Sequence, residues 1–154
     1  MLKKFVTSMI ALFLLAGCSS GSSAEAAAAA DPASDAAKIV EDLNLSDHMD
    51  QVQDRIVSGL FFFDEGVVTQ SAVYIANDKS ADVVGVFETT DADSCRKAIQ
   101  TYLDSAKTQM QNYFPDEVFK LDNAVVEDNG STVILIACSD LEGAKKEADI
   151  ILGK

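Results

Sequence analysis

Hydrophobic and polar positions divide the chain into three parts. A short apolar run near the start is followed by a stretch without large apolar side chains, and regular periodicity begins near residue 35. Some segments of the periodic part have apolar residues every three or four positions, which is typical of amphipathic helices. Others are compact β-branched or aromatic runs beside polar turns, which is typical of strands. The pattern predicts a single domain over residues 35–154.

Helical periodicity predicts four main helices. Two short ones follow Ser34 and Ser46, and a long one starts at residues 90–93 and ends before Pro115. The last follows residues 139–142, which have the sequence of a capping box. The four apolar stripes are Ala36, Ile39, Val40 and Leu43; Met49, Val52, Ile56, Val57 and Leu60; Ile99, Tyr102, Leu103, Ala106, Met110 and Tyr113; and Leu141, Ala144, Ala148 and Ile151.

Two β-hairpins are predicted over residues 71–87 and 124–138. Their polar turns are residues 77–80 and 128–131, and the second contains Asn-Gly, the strongest short-range hairpin signal. Residues 133–138 are apolar without alternation, so we expect that strand to be buried on both faces of the sheet.

A helix follows each hairpin, which gives the element order ββαββα. The predicted fold is α+β, with a four-stranded, mostly antiparallel sheet built from two hairpin-helix units and preceded by two short N-terminal helices. We expect the helices of the two units to lie on one face of the sheet. The two units resemble each other in the order of strand end, helix cap and basic pair. Either an internal duplication or the general preference for capped helices explains this similarity.

The start of the chain has the order of a lipoprotein signal peptide. Lys3 and Lys4 precede an apolar run over residues 5–15, and two small residues then stand before Cys18. The run is too short to span a bilayer, which needs about 20 apolar residues. We therefore expect cleavage of a signal peptide over residues 1–17 and a diacylglycerol on Cys18, which anchors the protein at the extracytoplasmic face of the cell membrane. An ordinary signal peptide with a chance cysteine is the alternative.

Residues 18–34 are rich in Ser, Gly and Ala, which predicts a flexible tether between the anchor and the domain. Cleavage removes two lysines and no acidic residue, so the formal net charge of −13 becomes about −15. Such a surface repels nucleic acid and favours basic partners, and we expect no nucleic-acid partner.

Few groups in the chain are suited to catalysis. The one histidine, His48, lies beside Asp47 and Asp50 at a predicted helix start, where we expect a solvated or capping side chain. Cys95 and Cys138 each lie near a helix start, where backbone amides would lower the thiol pKa. They could form a disulfide if the two strand-to-helix junctions lie side by side. The alternative is that both are small buried hydrophobic residues.

No motif indicates an enzyme or a cofactor site. The sequence lacks a phosphate-binding glycine loop, a Gly-x-Ser-x-Gly elbow and a zinc pattern. Acidic pairs such as Asp91 and Asp93 are explained by helix starts, and none fits a twelve-residue calcium loop. We therefore expect no catalytic residue, no cofactor and no metal ion.

Phe61, Phe62 and Phe63 form an aromatic triplet at the end of a predicted helix. Three successive aromatic residues of one helix cannot all face inward. Either the helix ends there, or at least one ring is exposed and could contact a protein partner or lipid.

Several stretches, in this order and behind the lipoprotein signal, resemble a known family. They are residues 43–47, 60–64, 72–75, 84–87 followed by Asp91, 113–117 and 123–126. The chain resembles the small lipoproteins of Firmicutes, chiefly clostridial ones, that carry domain of unknown function 4358. The resemblance covers residues 36–152 and implies an envelope location and a domain type. Because the family has no assigned activity, it supplies no catalytic residues that could be carried over to this chain.

These features predict an anchored, non-catalytic lipoprotein that binds a protein or an envelope component through a sheet edge or exposed aromatic residues. The alternative is a receptor for a small ligand or cation, which requires a concave site lined by convergent carboxylates. An enzyme ranks third, because it requires a strongly perturbed carboxylate or thiol in a cleft. We also expect His48→Ala to leave stability and function nearly intact.

Overall fold

The computed structural model describes residues 31–154, so the predictions for the signal peptide, Cys18 and most of the tether lie outside the described residues. The helices are α1 (Pro32–Asp42), α2 (Asp54–Phe61), α3 (Ala92–Tyr113), α4 (Val118–Asp122) and α5 (Leu141–Leu152), with a 3-10 turn at Pro115–Glu117. The strands are β1 (Met49–Gln51), β2 (Val68–Ala76), β3 (Val83–Thr89), β4 (Val125–Asp128) and β5 (Thr132–Ala137). Within residues 31–154, no helix is both long and apolar enough to cross a membrane.

The strands form one sheet in the order β1-β2-β3-β5-β4, and every neighbouring pair is antiparallel. Both predicted hairpins are present, as β2–β3 and β4–β5, and a helix follows each. The mixed α/β class and the antiparallel sheet are confirmed. The predicted number of four strands is wrong, because the described part of the chain has five.

The additional strand, β1, replaces the first turn of a predicted helix. The spacing of Met49 and Val52 fits a helix, but it also fits a strand, in which residues three positions apart face opposite sides. Met49 packs into the core on one face of the sheet and Val52 packs against the core on the other. Hydrogen bonds between β1 and the end of β2 satisfy backbone groups of both segments, so α2 begins only at Asp54.

Helices cover both faces of the sheet. One hydrophobic cluster packs α1 and α5 on one face, with Ile39 and Ala148 fully buried, and a second packs α2 and α3 on the other, around Phe61 and Ile99. The expectation that the helices of the two hairpin units share a face is therefore wrong. Because β3 and β5 are apolar on both sides, each face of the sheet needs its own helical layer.

Besides α2, two helices start at a different residue from the one predicted. Helix α1 begins at Pro32, inside the predicted tether, and Asp31 is its N-cap. The cap of α5 is Asp140 rather than Ser139, and its carboxylate accepts a hydrogen bond from the Gly143 N–H at 2.9 Å. Glycine is needed there because a Cβ at position 143 would lie 2.3 Å from an Asp140 oxygen.

Candidate functional site

Two polar regions lie at opposite ends of β2. Beyond its C-terminal end, the β2–β3 turn carries part of what we call the charged cluster. Beside its N-terminal end lies what we call the acidic groove. The members of the charged cluster are His48, Ser80, Asp82, Glu117 and Lys120. The groove is lined by Asp54, Val57, Ser58, Phe63, Asp64, Glu65, Gly66, Val68, Thr69, Gln70 and Ser71.

Three separate parts of the chain supply the charged cluster. Pairing of β1 with β2 places His48 beside Asn77, whose N–H donates to the His48 carbonyl at 2.8 Å. Pro115 follows the end of α3 and begins the 3-10 turn that carries Glu117. Helix α4 then places Lys120 three residues further on, close to the same turn.

Lys120 is the centre of the cluster, with its side chain 8% exposed. Its Nζ lies 2.8 Å from Glu117 Oε2, 2.8 Å from Ser80 Oγ and 3.0 Å from Asp82 Oδ1. The contact with Asp82 Oδ1 is an ion pair without hydrogen-bond geometry, while Asp82 Oδ2 accepts a hydrogen bond from Nζ at 3.2 Å. The ammonium thus neutralises a carboxylate that is only 4% exposed.

Further hydrogen bonds hold the two carboxylates. His48 Nε2 lies 2.8 Å from Asp82 Oδ2, and the Ala81 N–H donates to Glu117 Oε2 at 2.9 Å. The Ser80 hydroxyl is within reach of both carboxylates, but its single hydrogen can be donated to only one of them at a time. Each carboxylate therefore depends on Lys120 as well.

The charged forms of these groups are stabilised by one another. Burial opposes the charge of Asp82, but hydrogen bonds from Ser80, His48 and Lys120 outweigh it and lower the pKa of Asp82. Burial likewise opposes the charge of Glu117, but the hydrogen bond from Lys120 leads the groups that lower the pKa of Glu117. Burial also opposes the ammonium, but both carboxylates together raise the pKa of Lys120. All three groups therefore remain charged at neutral pH.

A cavity of about 390 Å³ opens beside the charged cluster. Its wall includes His48, Asp78 and Asp140. Asp78 already accepts a hydrogen bond from a backbone N–H within the turn at 2.8 Å, and Asp140 caps α5. Most polar groups here are thus engaged within the protein, and the cluster fastens the 3-10 turn and α4 to the β2–β3 turn.

The acidic groove is a cavity of about 470 Å³ between α2 and the start of β2. Its acidic residues, Asp54, Asp64 and Glu65, are exposed, and they form no ion pair within residues 31–154. Among the described residues that line it there is no lysine, arginine or histidine. The lining of the groove is therefore negatively charged, although Lys97 shares a second cavity with Asp64 and Arg55 follows Asp54 in the chain.

Part of β2 beside the groove has no neighbouring strand on the side of β1. Strand β1 pairs only with residues 74–76, and the last backbone hydrogen bond on that side runs from Val52 N–H to Val73 C=O, at 2.9 Å. Alternate residues of a strand direct their backbone groups to opposite sides, so Ser71 is the next to face this side. Among the described residues no backbone group pairs with Ser71 there, which leaves an open strand edge.

Cys95 and Cys138 are not brought together. Both are free and buried, in hydrophobic clusters on opposite faces of the sheet. The geometry does not support the disulfide that was left open and fits the alternative of two small buried residues, because β3 and β5 are antiparallel and the helix junctions that follow them lie at opposite ends of the sheet. The expectation of a lowered thiol pKa is also wrong, since burial raises the pKa of Cys138 and raises that of Cys95 to about 12.

The three phenylalanines occupy two environments, since Phe61 and Phe63 pack together and Phe62 is exposed. Phe61 ends α2 and is buried, with its ring centroid 5.2 Å from that of Phe87. Phe62 adopts a left-handed φ of 50° and is 78% exposed. Phe63 turns back and stacks on Phe61 with centroids 5.4 Å apart. The two predicted alternatives thus occur together, since the helix ends there and one ring is exposed.

His48 is neither fully solvated nor a helix cap, because it contacts the buried Asp82 and its side chain is 29% exposed.

The charged cluster was not predicted, and the clearest sequence signal for it is the spacing of three between Glu117 and Lys120 just after Pro115. Within residues 31–154, no group of three or more histidine, cysteine or acidic side chains is placed to hold a metal ion.

Comparison with protein families identifies a domain family in this chain. The model of the family described as Domain of unknown function (DUF4358) matches residues 41–138, which include the whole charged cluster and the whole acidic groove. No curated protein and no solved structure matches the chain.

Proposed function

The chain belongs to the family Domain of unknown function (DUF4358), and from this premise we propose that it is a membrane-anchored, extracytoplasmic lipoprotein whose domain is a non-catalytic binding module. The lipoprotein signal before Cys18 supports the anchor, and it resembles that of the small lipoproteins of Firmicutes. A domain displayed on a tether at a membrane surface is suited to contacting other molecules of the envelope.

The non-catalytic part of the proposal rests on how the reactive side chains are used. Lys120 and Asp82 neutralise each other inside the protein, and His48 is directed at Asp82. The raised pKa values of Cys95 and Cys138 leave both thiols protonated and poorly nucleophilic at neutral pH. None of these groups is left free to act as a base or nucleophile.

The observation that carries the binding proposal is the acidic groove. Its three exposed carboxylates form no ion pair within the described residues, and they lie beside an open strand edge. Its volume of about 470 Å³ is within the range of about 300 to 1,000 Å³ that is common for ligand sites. Charge complementarity favours a basic partner.

Polylysine binding tests the groove. The mature chain with Cys18→Ala, which cannot be lipidated, should bind polylysine at low salt. Replacing Asp64→Asn and Glu65→Gln together should weaken binding about tenfold. The matched control is Glu41→Gln with Asp47→Asn, which removes the same charge from exposed positions outside the groove. Equal weakening by both pairs, or no binding at all, would contradict the proposal.

The intact mass of the mature protein, purified from its own membranes, tests the anchor. A diacylglycerol on Cys18 is the expected result. Cleavage without lipid would remove the membrane anchor from the proposal and leave the binding module to be judged by the polylysine experiment.

The cavity beside the charged cluster supports a second candidate function, a receptor for a small cationic ligand. The specific observation is that three carboxylates, those of Asp78, Asp82 and Asp140, line a cavity of about 390 Å³, against the one ammonium of Lys120. If this candidate holds, putrescine should raise the melting temperature of the protein, and Asp78→Asn should remove the increase. Absence of a shift would eliminate the candidate.

A further inference from the structure

We propose that the open edge of β2 at Ser71 takes up a basic peptide segment as an added strand, within the acidic groove. This inference rests on the proposed binding function and deepens it, because it names the mode of binding and the chemistry of the partner. The partner is an extended protein segment rich in lysine or arginine.

The hydrogen-bond pattern of β2 shows where an added strand would pair. On the β1 side, the Asn77 N–H donates to the His48 carbonyl and the Val52 N–H donates to the Val73 carbonyl. These bonds identify the odd-numbered residues in the regular part of β2, which follows the β-bulge between Val68 and Gln70, as those whose backbone groups face away from β3. The next such residue, Ser71, has no backbone partner on that side among the described residues.

The other side of β2 is paired with β3 from Gln70 onward, after a β-bulge between Val68 and Gln70. Ala72 pairs with Val86, and Ser71 lies opposite Phe87 in the register with β3. The backbone groups of Ser71 that face the groove are therefore not needed to hold β2 in the sheet. A buried or ligand-covered backbone group requires a partner, and an extended peptide supplies both a donor and an acceptor.

Strand β1 ends because the chain turns into a helix. Gln53 is the extended N-cap of α2, and Asp54 begins the helix that carries the chain away from β2. The space between α2 and β2 is the acidic groove, and Thr69 and Gln70 are exposed along it. Edges of this kind pair with other chains unless they are covered or repelled.

The charges around the edge select the partner. Asp54 lies on the α2 side of the groove, and Asp64 and Glu65 lie in the segment before β2. A lysine or arginine on either side of an added strand would meet a carboxylate that has no ion pair within residues 31–154. A second copy of this chain is a poor occupant, because each mature chain carries a net charge of about −15 and brings the same acidic groove.

The test uses the mature Cys18→Ala chain and a capped eight-residue peptide in which threonine and lysine alternate. Ser71→Pro removes the N–H that faces the groove and keeps every carboxylate, and proline is tolerated at a strand edge. Ser71→Ala is the matched control, because it keeps that N–H. We expect Ser71→Pro to weaken peptide binding about tenfold and Ser71→Ala to leave it unchanged.

A second ligand keeps the test decisive if Ser71→Pro fails to fold. A diastereomer of the peptide, with every second residue of D configuration, has the same charge but cannot form a regular strand, so it should bind about tenfold more weakly to the unmutated chain. Equal binding of both peptides would overturn strand addition and leave the proposed binding of basic partners standing. Absence of binding to either peptide, together with absence of binding to polylysine, would overturn both proposals.

Discussion

The two ends of β2 use the same chemical group in opposite ways. Beyond its C-terminal end, Asp82 and Glu117 are held against Lys120, and Asp82 is buried while Glu117 is half-buried. Beside its N-terminal end, Asp64 and Glu65 are exposed and have no ion pair within the described residues. Burial with a counter-charge makes a carboxylate part of the framework, whereas exposure without one leaves its charge available to a partner.

The largest effect that tests this comparison is expected from Lys120→Met. The substitution leaves Asp82 as a buried charge without its ammonium partner, so the free energy of unfolding should fall by about 3 kcal/mol. Urea denaturation measures it. The matched control is Lys107→Met, whose Nζ lies 3.2 Å from the exposed Asp122 and which should cost less than about 1 kcal/mol. Equal losses would show that the cluster is no different from a surface ion pair.

A smaller loss is expected from His48→Ala. Asp82 Oδ2 would lose the imidazole at 2.8 Å while remaining buried, so the free energy of unfolding should fall by about 1 kcal/mol. This replaces the expectation, drawn from the sequence, that the substitution leaves stability nearly intact. His48→Gln, which keeps an N–H donor, should recover part of the loss. A loss below the error of the denaturation experiment would show that the contact between His48 and Asp82 does not stabilise the fold.

The charged cluster should also make stability depend on acid pH. The pKa of Glu117 is lowered from an ordinary value of 4.5, so its contribution is complete above that pH and is lost as the pH falls through the lower, folded value. Between pH 7 and pH 3, Glu117→Gln should therefore lose less stability than the unmutated chain. Asp42, Asp91 and Glu127, whose pKa values are also lowered, lie outside the charged cluster and cancel in the difference. The pKa of Asp82 is lowered too, and Asp82 shares Ser80 and Lys120 with Glu117, so the difference reports these two carboxylates together. If both proteins lose the same stability between pH 7 and pH 3, the charged cluster is not a source of the pH dependence.

The smallest effect is expected at the other end of β2. Asp64→Asn with Glu65→Gln should change the free energy of unfolding by no more than about 0.5 kcal/mol, because both side chains are exposed and unpaired within residues 31–154. The same two chemical changes at Asp82 and Glu117 should be strongly destabilising. The comparison fails if both pairs of substitutions cost the same.

Much of the fold could be predicted because strong local signals agree with it. Pro115 marks the end of the long helix, and the apolar run over residues 133–138 corresponds to a strand buried on both faces. Strand β1 was missed because three residues are too few for a period, and because its pairing depends on a strand more than 20 positions away.

The polar regions were harder to predict because both are products of tertiary structure. His48 and Asp82 meet only because β1 closes against the end of β2. The open edge at Ser71 exists only because β1 stops before reaching it. Sequence patterns report which residues face a core, but they do not report where one strand ends along another.

Amide hydrogen exchange at Ser71, with and without the alternating threonine-lysine peptide, tests most directly whether the open edge of β2 is the binding site. In the free protein, the Ser71 N–H should exchange faster than that of Ala72, which faces β3. Peptide binding should slow exchange at Ser71 and leave the amides around Asp82 unchanged. If the peptide binds and exchange at Ser71 stays fast, or protection appears only at the charged cluster, the binding site lies elsewhere and the account is wrong.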